Sequence, residues 1–361
     1  MSGAQRITVR ALHRGTASIV RALAPHFDLP PAEIAARLFR APAVLATGLP
    51  AEVAEALAGA LRESGLELDI EPEDAPLPEP GPSYDVAFYL RDGGRFREVA
   101  RELALVLGCS LADAASALCA TPATVLGAVS QATVDALRAR FSPLGVEVDA
   151  SNPATARYDV FYRGEDAGGL ATVRAVLGAL GLEVGAPPLV ASGLSQAQAA
   201  QVWRELAARS LVRVVDQAFL RFDLSLTEAP ATPGFAELLV RETGMPEKLV
   251  PRVLSRLPVV LHAGLSAREL PARVAPLEAA GARVSAQLIV FRSFRLKVEE
   301  LRDAPAVTEL LGSALGLPAA EVRTSLARLP HTFVPPLGDT RARWLVAELR
   351  ARGVRASLEP A

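Results

Sequence analysis

The sequence predicts an α+β chain of five tandem small domains, each of order β-α-α-β-α-β, with a three-stranded sheet covered on one face by helices. Three observations carry this. A proline leads to a glycine 23 residues later in four places, Pro42 to Gly65, Pro122 to Gly145, Pro258 to Gly281 and Pro330 to Gly353, and Pro187 leads to Ser210 in a fifth. Apolar residues recur at fixed distances from that proline. Seven on stand Leu49, Val129, Leu194, Leu265 and Leu337, nineteen on Leu61, Phe141, Leu206, Leu277 and Leu349, and twenty-four on Leu66, Val146, Leu211, Ala282 and Val354. Finally, strand-type and helix-type periodicities alternate in one order inside every spacing, which marks an internal repeat rather than one large fold.

The second repeat is the clearest. Tyr84-Asp-Val-Ala-Phe-Tyr-Leu90 is rich in aromatic and β-branched residues and reads as a strand. Arg91-Asp-Gly-Gly94 makes a turn, and Phe96, Val99, Leu103, Val106 and Leu107 then follow helical spacing. Gly108 stops that helix by adopting positive φ, and Ser110 caps a second helix running to about Ala120. Pro122 ends it, Thr124-Val-Leu126 is a short strand, a third helix runs from Ser130 to Phe141, and Val146-Glu-Val148 closes the sheet. The expected boundaries are 1–70, a linker at 71–83, then 84–150, 151–216, 217–287 and 288–361.

One repeat departs. The helix stop precedes the anchor proline by fourteen residues in four repeats (Asp28, Gly108, Gly244, Gly316), but Gly181 precedes Pro187 by only six. The second helix is missing there, and Leu182–Ala186 is left as a tether. That deletion predicts an uncovered patch, to be filled by a partner or by the next repeat. The linkers also differ. Glu71–Ser83 holds five prolines and four acidic residues and reads as stiff and extended, whereas Asp216-Gln217 and Ala286-Gln287 are almost direct joins. Repeats three to five are therefore expected to form one body, with the first repeat swinging and proteolysis starting at 71–83.

Composition bounds the function. Half the residues are hydrophobic and the formal net charge is −2, from 38 basic and 40 acidic residues, so no global field attracts nucleic acid or an anionic membrane. Cys109 and Cys119 form no disulfide framework, no signal-peptide core opens the chain, and no apolar run is long enough to span a bilayer. A cytoplasmic protein is expected, and the arginine bias fits a GC-rich bacterial genome. The four histidines, His13, His26, His262 and His331, lack metal-site spacing; phosphate-cradle and nucleophile-elbow motifs are absent; and acidic residues show no equivalent positions across repeats. No catalytic residue, metal or cofactor is assigned.

Helix–Leu107-Gly108–helix–Thr121-Pro122–strand–Gly127–helix–Leu144-Gly145-Val-Glu-Val148 resembles the C-terminal domain of the bacterial ribosomal stalk protein (the L-seven/L-twelve type), five times over. The topology is also similar to that of the Clp protease adaptor. The stalk resemblance implies the fold and a habit of binding proteins. In that family the domain recruits translational GTPases through basic and apolar residues on its first two helices. The matching first-helix position carries Arg21, Arg101 and Arg174 in repeats one to three, but Glu237 and Glu309 in the last two. The family's lysine position carries Ala46, Leu126, Ala191, His262 and Val334. The expectation is a non-enzymatic scaffold or adaptor for protein partners, with Arg21, Phe96, Arg97, Arg101, Leu170 and Arg174 as candidate partner-binding residues. The alternatives are a translation-associated factor that binds ribosomes or their GTPases, and an enzyme of unrecognised type.

Overall fold

The computed structural model describes residues 4–12, 19–20, 31–79, 81–232, 234–301 and 304–361. The chain is mixed α+β with separate antiparallel sheets. The first repeat contributes β1 (Gln5–Leu12), α1 (Pro31–Phe39), β2 (Ala43–Leu49), α2 (Ala51–Glu63) and β3 (Leu66–Pro72). The second has β4 (Tyr84–Leu90), α3 (Phe96–Leu107), α4 (Leu111–Cys119), β5 (Ala123–Val129), α5 (Gln131–Phe141) and β6 (Val146–Ser151). The third has β7 (Tyr158–Tyr162), α6 (Ala167–Ala179), β8 (Leu189–Leu194), α7 (Gln196–Leu206) and β9 (Val212–Asp216), with no helix between α6 and β8. The fourth has β10 (Arg221–Glu228), α8 (Phe235–Thr243), α9 (Val250–Leu254), β11 (Val259–Ser266), α10 (Leu270–Ala279) and β12 (Arg283–Leu288). In the fifth, β13 (Ser293–Glu300) is followed by α11 (Ala304–Leu315), α12 (Ala319–Leu326), β14 (His331–Thr332), β15 (Leu337–Gly338), α13 (Asp339–Ala351) and β16 (Arg355–Pro360).

In every sheet the first strand is central: β2-β1-β3, β5-β4-β6, β8-β7-β9, β11-β10-β12, and β13 between β16 and the β14/β15 pair. All pairs are antiparallel. The helical segment after the first strand returns the chain to one edge, and the last helix carries it across the central strand to the other, a split β-α-β arrangement. The fifth repeat breaks its second strand in two because Pro335 and Pro336 offer no N–H to the ladder.

Side chains on one face of each central strand meet the helices. In the second repeat Val86, Phe88 and Leu90 are buried against Val99, Leu103, Leu118, Val134, Leu137 and Phe141. The residues nineteen after the anchor proline are buried in all five repeats: Leu61, Phe141, Leu206, Leu277 and Leu349. Fully burying one such side chain stabilises by roughly 1.5–3 kcal/mol, so these positions hold each small sheet to its helices.

The repeat spacing has a backbone cause. A left-handed residue ends the last helix in every repeat: Gly65, Gly145, Gly281 and Gly353 have φ between 72° and 96°, and Ser210 has φ 52°. A second left-handed residue bulges the second strand at Gly48, Ala128, Gly193 and Gly264. Glycine meets this conformation without a Cβ penalty; Ser210 and Ala128 do not.

By internal contacts the chain divides into two compact units, Met1–Pro153 with Ser293–Ala361, and Ala154–Arg292. This corrects two expectations. Repeats three to five are not one body: the fifth belongs with the first and second, because α13 docks on the turn that opens α3. Nor does the first repeat swing. It shares one hydrophobic cluster with the second, and the carbonyl of Phe39 accepts hydrogen bonds from Ser130 N (2.9 Å) and Thr133 Oγ1 (2.9 Å). The proline-rich linker is pinned at its start, where buried Arg6 donates to the carbonyl of Ala75 (2.7 Å) and to Glu71.

Candidate functional site

The third repeat, where the helix is missing, carries a pocket of about 390 Å³ lined by Leu182, Glu183, Gly185, Leu189, Ser192 and Gln198, among others. Its walls follow from local structure. Gly181 ends α6 in the left-handed region (φ 68°), and Leu182 N closes the turn on Leu177 O at 3.0 Å. The tether then crosses the edge of β8, where Gly185 N donates to Val190 O at 2.9 Å. A Cβ at Gly185 would lie 2.7 Å from the Leu189 carbonyl oxygen, so this approach needs glycine. On the other side Ser195 caps α7, and the Gln198 Oε1 accepts from Ser195 N (2.9 Å) and Oγ (3.0 Å), which fixes Gln198 at the rim. The next repeat does not fill the pocket. Leu220, Val290 and Phe291 pack instead on Phe161, which lies on the sheet face opposite Val160 and the helices.

The strand wall is held by a carboxylate that the sequence reading passed over. Buried Asp159 accepts from Ser192 Oγ (2.7 Å), Gly193 N (3.1 Å) and Gln217 Nε2 (2.7 Å), all at Oδ1. Asp85 accepts from Ala128 N at 3.0 Å and Asp223 from Gly264 N at 3.1 Å in the same way. Acidic residues do therefore recur in equivalent positions, and each ties the central strand to the bulge beside it. The signal was present: an aromatic–Asp–aliphatic triplet occurs at Tyr84–Val86, Tyr158–Val160 and Phe222–Leu224. Arg6 and Arg295 replace the aspartate in the terminal repeats and hide the pattern.

The candidate partner-binding residues have different surroundings. Arg21 lies outside the described residues. Phe96 is buried, with its ring 5.3 Å from that of Trp344 on α13. Arg97 Nε is 2.6 Å from Glu348 of the same helix. Arg343 donates to the carbonyls of Leu90 and Arg91 and stands over the Tyr89 ring. The Phe96–Arg97 surface thus already holds a helix, that of the fifth repeat. Burial works to raise the Glu348 carboxyl, but the Arg352 hydrogen bond and the Arg97 charge outweigh it and hold the pKa below its ordinary range. Arg101 and Arg174 are exposed, while Leu170 is half-buried against its own repeat's core. The structure brings Phe96 and Arg97 together and leaves Leu170 and Arg174 in the other unit.

Chemically the pocket offers apolar side chains, one carboxylate at Glu183, and a hydroxyl and an amide already engaged in hydrogen bonds. Among the described residues no group of three or more His, Cys, Asp or Glu is placed to hold a metal ion, and no single helix is long and apolar enough to cross a membrane. No protein-family model matches the sequence, and no curated protein or solved structure matches it. The class defined by fold and pocket is that of a mixed α+β chain of repeated antiparallel sheets with a ligand-sized opening in one of them.

Proposed function

We propose that the chain is a non-enzymatic, cytoplasmic scaffold or adaptor made of five tandem stalk-like domains that hold protein partners. One observation carries the reading: the first-helix surface of the second repeat holds another helix through Phe96 and Arg97. A surface that docks a helix inside the chain is chemically suited to dock one from outside. The equivalent position in the third repeat presents exposed Arg174 beside half-buried Leu170, and Arg101 stands exposed on α3. Diverged repeats would let separate faces hold separate partners, or raise avidity for a repeated one.

The test is quantitative co-purification from the native cells with the tagged chain and with Arg101→Glu and Arg174→Glu variants. The expected result is a defined set of proteins that falls away in a variant whose melting temperature is unchanged. A set identical for all three chains would overturn the reading, and co-purification of ribosomal proteins or translational GTPases would redirect it to translation.

A further inference from the structure

We infer that the pocket of the third repeat receives a short helix from a protein partner, presenting a small aliphatic residue and a leucine four positions later. This deepens the scaffold reading and rests on it. The other four repeats show what occupies this place. Eight residues before the anchor proline stand Ile34, Ala114, Val250 and Val322, and four before it stand Leu38, Leu118, Leu254 and Leu326, in each case on the second helix. Ile34, Leu38, Ala114, Leu118, Val250, Val322 and Leu326 are buried, and Leu254 is half-buried in the core of its repeat. The spacing i, i+4 puts both side chains on one helix face, toward the first helix and the strand.

The third repeat lacks eight residues at this point, about two helical turns. Its neighbouring surface registers the loss. Counted from the helix-ending glycine, the first helix of the second, fourth and fifth repeats is buried at Val99 and Leu103, Phe235 and Leu239, and Val307 and Leu311. By the same count Thr172 and Val176 of α6 are half-buried, while Val173 and Leu177 beside them are fully buried and hold the helix to its own sheet. Beside them the tether exposes Val184, 40% accessible, and Leu182, Ala191 and Leu194 supply apolar side chains to the pocket. Glu183 is the one charged residue lining it, which selects a basic residue on the incoming helix. Arg37, Arg252 and Arg323 already occur on the second helices of the first, fourth and fifth repeats.

The probe is a fluorescein-labelled synthetic peptide with the sequence of residues 317–328, which contains Val322, Arg323 and Leu326, titrated into the full chain and followed by anisotropy. Saturable one-to-one binding is expected. A Leu326→Asp substitution in the peptide should weaken it by about tenfold or more, because the leucine supplies most of the apolar area. Glu183→Lys in the protein, an exposed site away from the core, should weaken binding a few-fold at low salt without changing the melting temperature. A second variant restores the missing helix by replacing residues 182–186 with residues 109–121 of the second repeat, and it should lose peptide binding. No binding up to millimolar peptide, or equal binding of a scrambled peptide, overturns the inference. A dimer in sedimentation that the restored helix dissolves would also overturn it, in favour of a second copy as the occupant. Failure here with the Arg101- and Arg174-dependent partner set intact removes the pocket and leaves the scaffold standing; peptide binding with no such set does the reverse.

Discussion

Gly93→Ala is the sharpest perturbation of the contact between the second and fifth repeats. Taken within its own repeat, the change is mild: Gly93 opens a short 3-10 turn before α3, and replacing a glycine there removes unfolded-state freedom, a gain of roughly 0.4–1 kcal/mol. The docked α13 reverses the sign. The added Cβ would stand 2.6 Å from the carbonyl carbon and oxygen of Arg343 and 2.7 Å from Trp344 N. These are backbone atoms, so α13 must retreat by about 0.8 Å to reach ordinary contact. Retreat loosens the Phe96–Trp344 ring contact, the Arg343 hydrogen bond to Arg91 O at 3.0 Å, and the Arg97–Glu348 ion pair. Overpacking of this kind costs about 1–3 kcal/mol, which for a unit of this size lowers the melting temperature by roughly 2–4 °C per kcal/mol. Gly94→Ala is the control. Its Cβ would meet mainly the neighbouring Asp92 carboxylate at 3.1 Å and would stay 3.9 Å from Ala347. Scanning calorimetry of both variants decides the matter. An unchanged or higher melting temperature for Gly93→Ala, or equal damage from Gly94→Ala, would refute the reasoning.

Three further outcomes follow from the same geometry. Ser210→Gly should stabilise the chain by about 0.5–1 kcal/mol in urea titration, since φ 52° costs a serine more than glycine's extra entropy; a lower midpoint would contradict this. Asp159→Ala strips Gly193 N and Ser192 Oγ of their buried acceptor and should cost about 1–3 kcal/mol, while Asp159→Asn, which keeps an oxygen there, should cost clearly less; equal losses would mean the charge, not the cap, matters. Glu348 titrates below its ordinary 4.5 in the folded chain, so the unfolded chain binds more protons near that pH. Its contribution is therefore complete above about pH 4.5 and is lost as pH falls through the lower folded value. Glu71, held low by the Arg6 hydrogen bond, acts in the same direction, so the measurement is the difference between the native chain and Glu348→Gln, which should shrink as pH falls below about 4.5.

The parts of the fold that repeat were legible, and the parts that occur once were not. Leu61, Phe141, Leu206, Leu277 and Leu349 announce themselves because burial imposes one apolar position on five copies. The missing helix was legible as a deletion of eight residues against that frame. The partner of Phe96 was not. Trp344, Glu348 and Arg343 sit on an arginine-rich helix that reads as a solvated face, and nothing periodic links residue 96 to residue 344. Such pairing depends on the match of two surfaces far apart in sequence, including a glycine whose only role is to have no side chain.

The third repeat is more than a damaged copy of the second. It keeps a buried valine and leucine on its first helix, Val173 and Leu177, and carries Thr172 and Val176 at the half-buried margin beside them. It holds its strand edge with Asp159, and it closes its chain with a glycine tether hydrogen-bonded to Val190. Those features let the repeat stand with the pocket empty, while Leu182, Ala191 and Leu194 keep apolar side chains for an occupant. A site that is stable empty and gains area when filled suits reversible exchange, because little of the binding energy is consumed in folding the receptor. On the proposal made above, the shortened repeat is the one completed by a partner's helix.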